Sequence, residues 1–189
     1  MPKRYRLRRR SSPLPYRVAN VGLAVSNRAV FLCGGIRGFR RGDVTPLTLR
    51  YDSALAVWNC VAPMQTGVTG RRDLGIASAG DHIYVVGGLD NHYRTLASVE
   101  RYDVLSNQWM YVASLPTPLT KSAVFSFDGR LFVFGGSKSI SDCLSFTNAA
   151  YCYDTKADVW SGNDGVRSLS CVEAFNPETQ QWTKKCVFC

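Results

Sequence analysis

Few residues of this chain have the type and spacing for chemistry. Cys186-Val187-Phe188-Cys189 has the spacing of half a zinc site or of a redox pair. A structural zinc site takes four ligands, and no second pair with this spacing exists. A redox pair belongs beside a strand–helix unit, and the sequence has no such pattern there. The cysteine pair therefore reads as an uncommitted tail. The two histidines, His82 and His92, fall at the start of an expected strand and in an expected loop, outside any ligand cluster. Three diglycines, Gly34-Gly35, Gly87-Gly88 and Gly135-Gly136, could cradle phosphate. A phosphate loop also needs a lysine with Ser/Thr and a following helix, and neither pattern follows them. No Gly-x-Ser-x-Gly element is present. No catalytic residue, cofactor or metal ligand is assigned, and the chain is not expected to be an enzyme.

The diglycines instead belong to a repeat. Tyr51-Asp52 precedes Trp58, Tyr102-Asp103 precedes Trp109, Tyr153-Asp154 precedes Trp160, and Phe175-Asn176 precedes Trp182. The aromatic residue and the tryptophan are seven residues apart in every case, and Tyr51, Tyr102 and Tyr153 lie 51 apart. A period of about fifty residues is the mark of a repeat architecture. The second unit spells out the elements. Leu74 to Ala79 is an apolar run, Gly80-Asp81 is a turn, and His82 to Val86 is a buried-strand pattern ended by Gly87-Gly88. Ala97 to Asp103 reads as a half-buried strand, and Trp109 to Ala113 as a fourth strand stopped by Pro116 and Pro118. Four antiparallel strands in about fifty residues make one propeller blade. Gly22 to Val25, Ala29 to Cys33, Pro46 to Tyr51 and Trp58 to Ala62 make the first. Ala123 to Phe127, Arg130 to Phe134, Ala149 to Tyr153 and Val159 to Ser161 make the third. Glycine accepts positive φ and lets backbones pass closely. Trp58, Trp109 and Trp160 are expected to be mostly buried between sheets.

This order of strand, turn, strand, Gly-Gly, loop, aromatic-Asp and tryptophan resembles the kelch family over residues 18 to about 182. Val99-Glu100-Arg101-Tyr102-Asp103 and Leu131-Phe132-Val133-Phe134-Gly135-Gly136 resemble the kelch repeats of BTB-kelch proteins most. The expected fold is all-β: an incomplete kelch β-propeller of three four-stranded blades and a half blade. About fourteen strands and almost no helix are expected.

The half blade follows from spacing. Trp58 to Tyr102 and Trp109 to Tyr153 are 44 residues each, but Trp160 to Phe175 is only 15, short by 29. The missing stretch is where two strands and a diglycine belong. Residues 170 to 185 are expected to form at most a hairpin. Propellers close with four to eight blades, so the chain reads as a fragment or variant of a longer kelch protein. The expected divisions are a basic tail over 1–14, blades over 15–65, 66–116 and 117–165, and a truncated blade with tail over 166–189.

Hydrophobic content of 46% suits a globular core. No apolar run is long enough for a transmembrane helix, and the charged start lacks a secretion signal. Seven scattered cysteines fit a reducing cytoplasm, with the nucleus as an alternative. Of the net charge of +9, residues 3 to 10 carry six positive charges and no acid. That run reads as a solvated tail; its alternative is a nuclear-import or nucleic-acid contact.

Propeller loops vary on rigid blades, so recognition is expected in the loops after the diglycines. Their candidate contact residues are Arg37, Arg40, Arg41, Asn91, His92, Tyr93, Arg94, Lys138 and Phe146. Arginines and aromatics suit interface hot spots, and the basic bias suits an acidic partner segment. The resemblance implies a role in recruiting a protein substrate to a cullin-RING ubiquitin ligase. It assigns cullin binding to BTB and BACK domains, for which this chain has no room. It also offers actin as a cytoskeletal partner and, as the weaker alternative, a copper oxidase, which two isolated histidines do not support. Nucleic acid and membrane are not expected as partners.

Overall fold

The computed structural model describes residues 12–38, 43–141, 145–163, 171–176 and 181–186. A two-residue strand β1 (Val18–Ala19) leads into the first sheet: β2 (Gly22–Ser26), β3 (Ala29–Cys33), β5 (Thr48–Asp52) and β6 (Val57–Val61). β1 pairs with β4 (Ile36–Arg37), which lies in the loop after β3. The second sheet is β7 (Gly75–Ala79), β8 (His82–Val86), β9 (Val99–Asp103) and β10 (Gln108–Val112). The third is β11 (Ala123–Phe127), β12 (Arg130–Phe134), β13 (Ala150–Asp154) and β14 (Val159–Asn163). Each is an antiparallel meander, and the motif pairs Tyr51–Trp58, Tyr102–Trp109 and Tyr153–Trp160 sit in cross-strand register. β15 (Cys171–Asn176) pairs with β16 (Gln181–Cys186), aligning Phe175 with Trp182. This is the expected two-stranded remnant. The only helical element among the described residues is a 3-10 turn at Gly67–Thr69. Among the described residues sixteen strands are present where about fourteen were expected, and the extra two are the short β1–β4 ladder.

The first strands of the three sheets lie side by side, β2 against β7 and β7 against β11. They form the inner edge of the arc, where space is smallest. A Cβ on Gly75 would lie 2.3 Å from Val124 Cγ2 on the next inner strand. Ala24 and Ser26 on β2 and Ala77 on β7 are buried on the same side of their strands. Larger side chains fill the gap farther out. Phe31 meets Tyr102 at 5.7 Å across the first interface, and Tyr84 meets Tyr153 at 5.9 Å across the second.

Repeated hydrogen bonds fasten each sheet to the one before it. Trp109 Nε1 donates to the Ala62 carbonyl at 2.9 Å, and Trp160 Nε1 to the Ala113 carbonyl at 2.8 Å. In the adjoining turns, Asn107 Oδ1 accepts from Ala62 N at 3.0 Å and Asp158 Oδ1 from Ala113 N at 2.8 Å. Both turn residues have left-handed φ, 55° and 56°, which Asn and Asp tolerate best.

The motif tryptophans are mostly buried as expected, Trp109 at 5% exposed and Trp58 and Trp160 less completely. Trp58 lies in the first sheet, and among the described residues no sheet stands before it to cover its ring. Trp160 meets the linker 113–122 through its Nε1, which donates to the Ala113 carbonyl, and at Trp109 the Gln65 Nε2 adds a hydrogen bond to the backbone carbonyl at 2.6 Å. One expectation needs correction: β9 is not half-buried. Val99 and Glu100, neighbours on opposite faces, are both 0% exposed, because a middle sheet is covered on both sides.

Candidate functional site

The three diglycines end β3, β8 and β12 at the same end of the arc. Gly87 and Gly88 have φ of 58° and 102°, and a Cβ on Gly87 would meet the Leu119 carbonyl oxygen at 2.1 Å. No L side chain fits that place. The close approach lets Gly88 N donate to the Leu119 carbonyl at 2.8 Å, and Gly35 N donates likewise to the Arg71 carbonyl at 2.8 Å. The first two diglycines thus tie their loops to the segments that enter the next sheet.

Those entry segments form a second, inner tier. Asn20, Asp73 and Lys121 each stand two residues before an inner strand, with φ of 54°, 50° and 56°. Asp73 N donates to the Asn20 carbonyl at 3.2 Å, and Lys121 N to the Asp73 carbonyl at 2.9 Å. The Asp73 carboxylate accepts from Asn20 Nδ2 and Arg72 Nη1, both at 2.7 Å. These residues were not singled out from the sequence. A left-handed residue repeated before each inner strand becomes visible only once strand starts are known.

The middle loop is the most defined. Asp90 is 2% exposed and holds the loop from below. Its carboxylate accepts from His92 N at 2.8 Å, Arg94 N at 2.9 Å and Arg94 Nε at 2.7 Å. Burial alone would raise the Asp90 pKa, but the hydrogen bonds from Arg94 and His92 and the Arg94 charge outweigh it and hold the pKa below the usual carboxylate value. Tyr93 at the tip has φ of 61°, is 47% exposed, and lies 5.0 Å from the Arg72 guanidinium. The Arg94 side chain is 70% exposed. His92 is exposed, while Asn91 is half-buried, with its Oδ1 buried and without a hydrogen-bond partner. Tyr93, Arg94 and His92 thus share one surface, and Asn91 turns inward.

The flanking loops differ. Arg37 stacks over the Tyr16 ring at 3.8 Å, and its amide donates to the Asp43 carbonyl. Arg40 and Arg41 lie outside the described residues. In the third loop Lys138 is exposed, its amide donates to the Ser145 carbonyl, and Phe146 is 76% exposed. Two of the three acids described on this end are engaged by arginines, Asp73 by Arg72 and Asp90 by Arg94. Arg37, Lys121 and Lys138 leave the end basic.

Below the loops lies a buried pair. Arg71 and Glu100 are both 0% exposed and bonded at 2.7 Å. Arg71 also donates to the Gly87 and Ser98 carbonyls and to Ser98 Oγ. Glu100 accepts from Thr66 Oγ1 at 2.9 Å and from Gln65 N. Burial pulls the Arg71 pKa down, and the charge and hydrogen bond of Glu100 pull it back up. The pair locks the linker from the first sheet onto the second. Among the described residues no group of His, Cys, Asp and Glu is arranged to hold a metal ion. No described helix is long and apolar enough to cross a membrane.

Sequence comparison agrees with this geometry. The family model described as the Kelch motif matches residues 70–116, 118–161 and 162–185. The chain belongs to the kelch family. The first sheet lies outside those matches yet has the same meander and the same aromatic–tryptophan register. Kelch-like protein 36 of Rattus norvegicus is 34% identical over 169 residues, 82% of this chain and 26% of that protein. Kelch-like protein 35 of Mus musculus is 35% identical over 129 residues, 68% and 21% respectively. Beta-scruin of Limulus polyphemus is 32% identical over 163 residues, 80% and 17%. The kelch chain described here therefore spans about a quarter or less of these relatives. The match over 162–185 covers the shortened fourth unit, of which β15 and β16 are the described strands.

Proposed function

We propose that this kelch chain is a protein-recognition module that takes its partner at the diglycine end. The observation that carries the reading is the middle loop. A buried Asp90 clamps its backbone, and Tyr93 and Arg94 stand exposed beside Arg72. A rigid aromatic and a guanidinium give contact area at little entropic cost. Asp43 offsets only one of Arg37, Lys121 and Lys138, and the remaining positive charge suits an acidic segment of the partner. The likeness to Kelch-like proteins supports the finer reading, a substrate-recognition part of a cullin-RING ubiquitin ligase adaptor. Cullin contact is then made by BTB and BACK domains, not by these repeats.

The test is capture of partners from cell lysate. Tyr93→Ala with Arg94→Ala is expected to weaken capture while leaving the far-UV circular dichroism spectrum unchanged, because both residues lie in a loop outside the sheets. A variant that keeps every partner, combined with loss of capture on removal of residues 1–14, would place the interaction in the basic tail instead.

A further inference from the structure

The arc ends in an open sheet face whose chemistry differs from the two internal interfaces. On the inner strands, the side turned toward the following sheet carries Gly22, Ala24 and Ser26 in β2 and Gly75, Ala77 and Ala79 in β7. The same positions in β11 are Ala123, Phe125 and Phe127. Phe125 is 48% exposed, Phe127 70% and Phe134 43%. Phe125 stacks on Phe132 at 5.3 Å and on Phe134 at 5.8 Å. At the internal interface a single Cβ on Gly75 already collides with the next inner strand. Phe125 and Phe127 stand in that lane where the internal interfaces close on Ala24, Ser26, Ala77 and Ala79. The two phenylalanines suit a sheet packed face to face, where the gap is about 10 Å across its whole width.

We propose that this face pairs with the same face of a second copy of the chain, about a two-fold axis that runs along the strands between β12 and β13. The face is self-complementary under that operation. β11 and β12 carry the large side chains, whereas β13 and β14 present Ala150, Cys152, Ser161 and Val159 on the same side. The axis sets β12 of one copy over β13 of the other and β11 over β14. In register, Phe132 and Phe134 then meet Cys152 and Ala150 of the second copy, and Phe125 and Phe127 meet Ser161 and Val159. Large side chains fall on small ones in both directions, as an isologous contact requires. The described charged residues of the face also match. Arg130 and Asp154 lie opposite each other at one end of β12 and β13. The axis places each over its counterpart of opposite sign. Both halves of the face are exposed in the single chain, Phe127 at 70% and Val159 at 54%.

The test is the mass of the full 189-residue chain in solution, measured by sedimentation over a concentration series. The expected limit is twice the chain mass of 20.9 kDa. Phe125→Asp with Phe127→Asp is expected to give monomer throughout with an unchanged circular dichroism spectrum, since both side chains are exposed in the single chain. Ser161→Trp, which fills the receiving half, is expected to do the same. Leu23→Asp with Val25→Asp, on the open face at the other end of the arc, is expected to leave the dimer intact. A monomeric full chain overturns the proposal, as does a dimer that survives the phenylalanine or Ser161 change. Dissociation by the Leu23 and Val25 change would instead mean end-to-end ring closure. A full chain that dimerises only after removal of residues 166–189 would mean that its own fourth unit covers the face.

Discussion

The three motif tryptophans share one sequence position but not one environment, and this separates two accounts of their role. If tryptophan mainly stabilises its own hairpin by stacking on the cross-strand tyrosine, all three should cost the same to remove. The stacks are alike: 5.1 Å for Tyr51–Trp58, 5.1 Å for Tyr102–Trp109 and 4.8 Å for Tyr153–Trp160. If tryptophan fastens each sheet to the one before, Trp109→Ala should cost much more than Trp58→Ala. Trp109 is 5% exposed and donates to the Ala62 carbonyl. Its replacement loses about 3–5 kcal/mol by the precedent for buried aromatics. That sum includes about 1 kcal/mol for the hydrogen bond. Trp58 is less completely buried, with no sheet before it among the described residues, so about 1–2 kcal/mol is expected from the area it covers. Urea unfolding followed by far-UV circular dichroism measures both, with the midpoint as the comparison. Equal midpoints for the two variants would refute the inter-sheet account.

Glu100→Gln should destabilise the chain by about 3–5 kcal/mol, because it leaves the Arg71 guanidinium buried and unpaired. Adding Arg71→Met should recover much of that loss, and urea unfolding of the single and double variants reads both effects. The Asp90 carboxylate has a folded pKa below its unfolded value of about 3.9, so its contribution is present above that value and is lost as pH falls through the folded pKa. Protease protection of the loop 89–95 should therefore fall below about pH 4 in the native chain. Asp90→Asn should lower the protection at neutral pH and remove that acid step.

The strands and their register were legible because period and residue type agreed. Val, Ile, Tyr and Phe clustered just before each Gly-Gly, and the fixed gap from aromatic to tryptophan set the cross-strand pairing. The shortened fourth unit was legible for the same reason, since spacing counts residues whatever they do. The site was less so. Tyr93 and Arg94 stood out as an aromatic and a guanidinium in a long loop, but Asp90 did not. An aspartate in a polar loop reads as solvated, and only the left-handed Tyr93 turns the chain back so that three donors converge on it. Arg71 and Glu100 were hidden by their charge. Pattern rules place charged residues on open faces, yet the middle sheet of an arc has no open face. The lesser burial of Trp58 needed the absence of an earlier sheet among the described residues to be weighed together with the motif.

The tryptophan and turn hydrogen bonds couple each sheet only to its neighbour. Such an arc behaves as a short linear chain of units with end effects. The middle sheet is held from both sides, while each terminal sheet is held from one. Fraying should therefore begin at the ends and travel inward. At concentrations where the chain is monomeric, amide protons of β8 and β9 should outlast those of β3 and β12 in hydrogen exchange, although all four are central strands of their own sheets. The middle loop, with Tyr93 and Arg94 at its tip, joins the two strands that open last. A partner grasped there would hold on to the part of the molecule that is slowest to come apart.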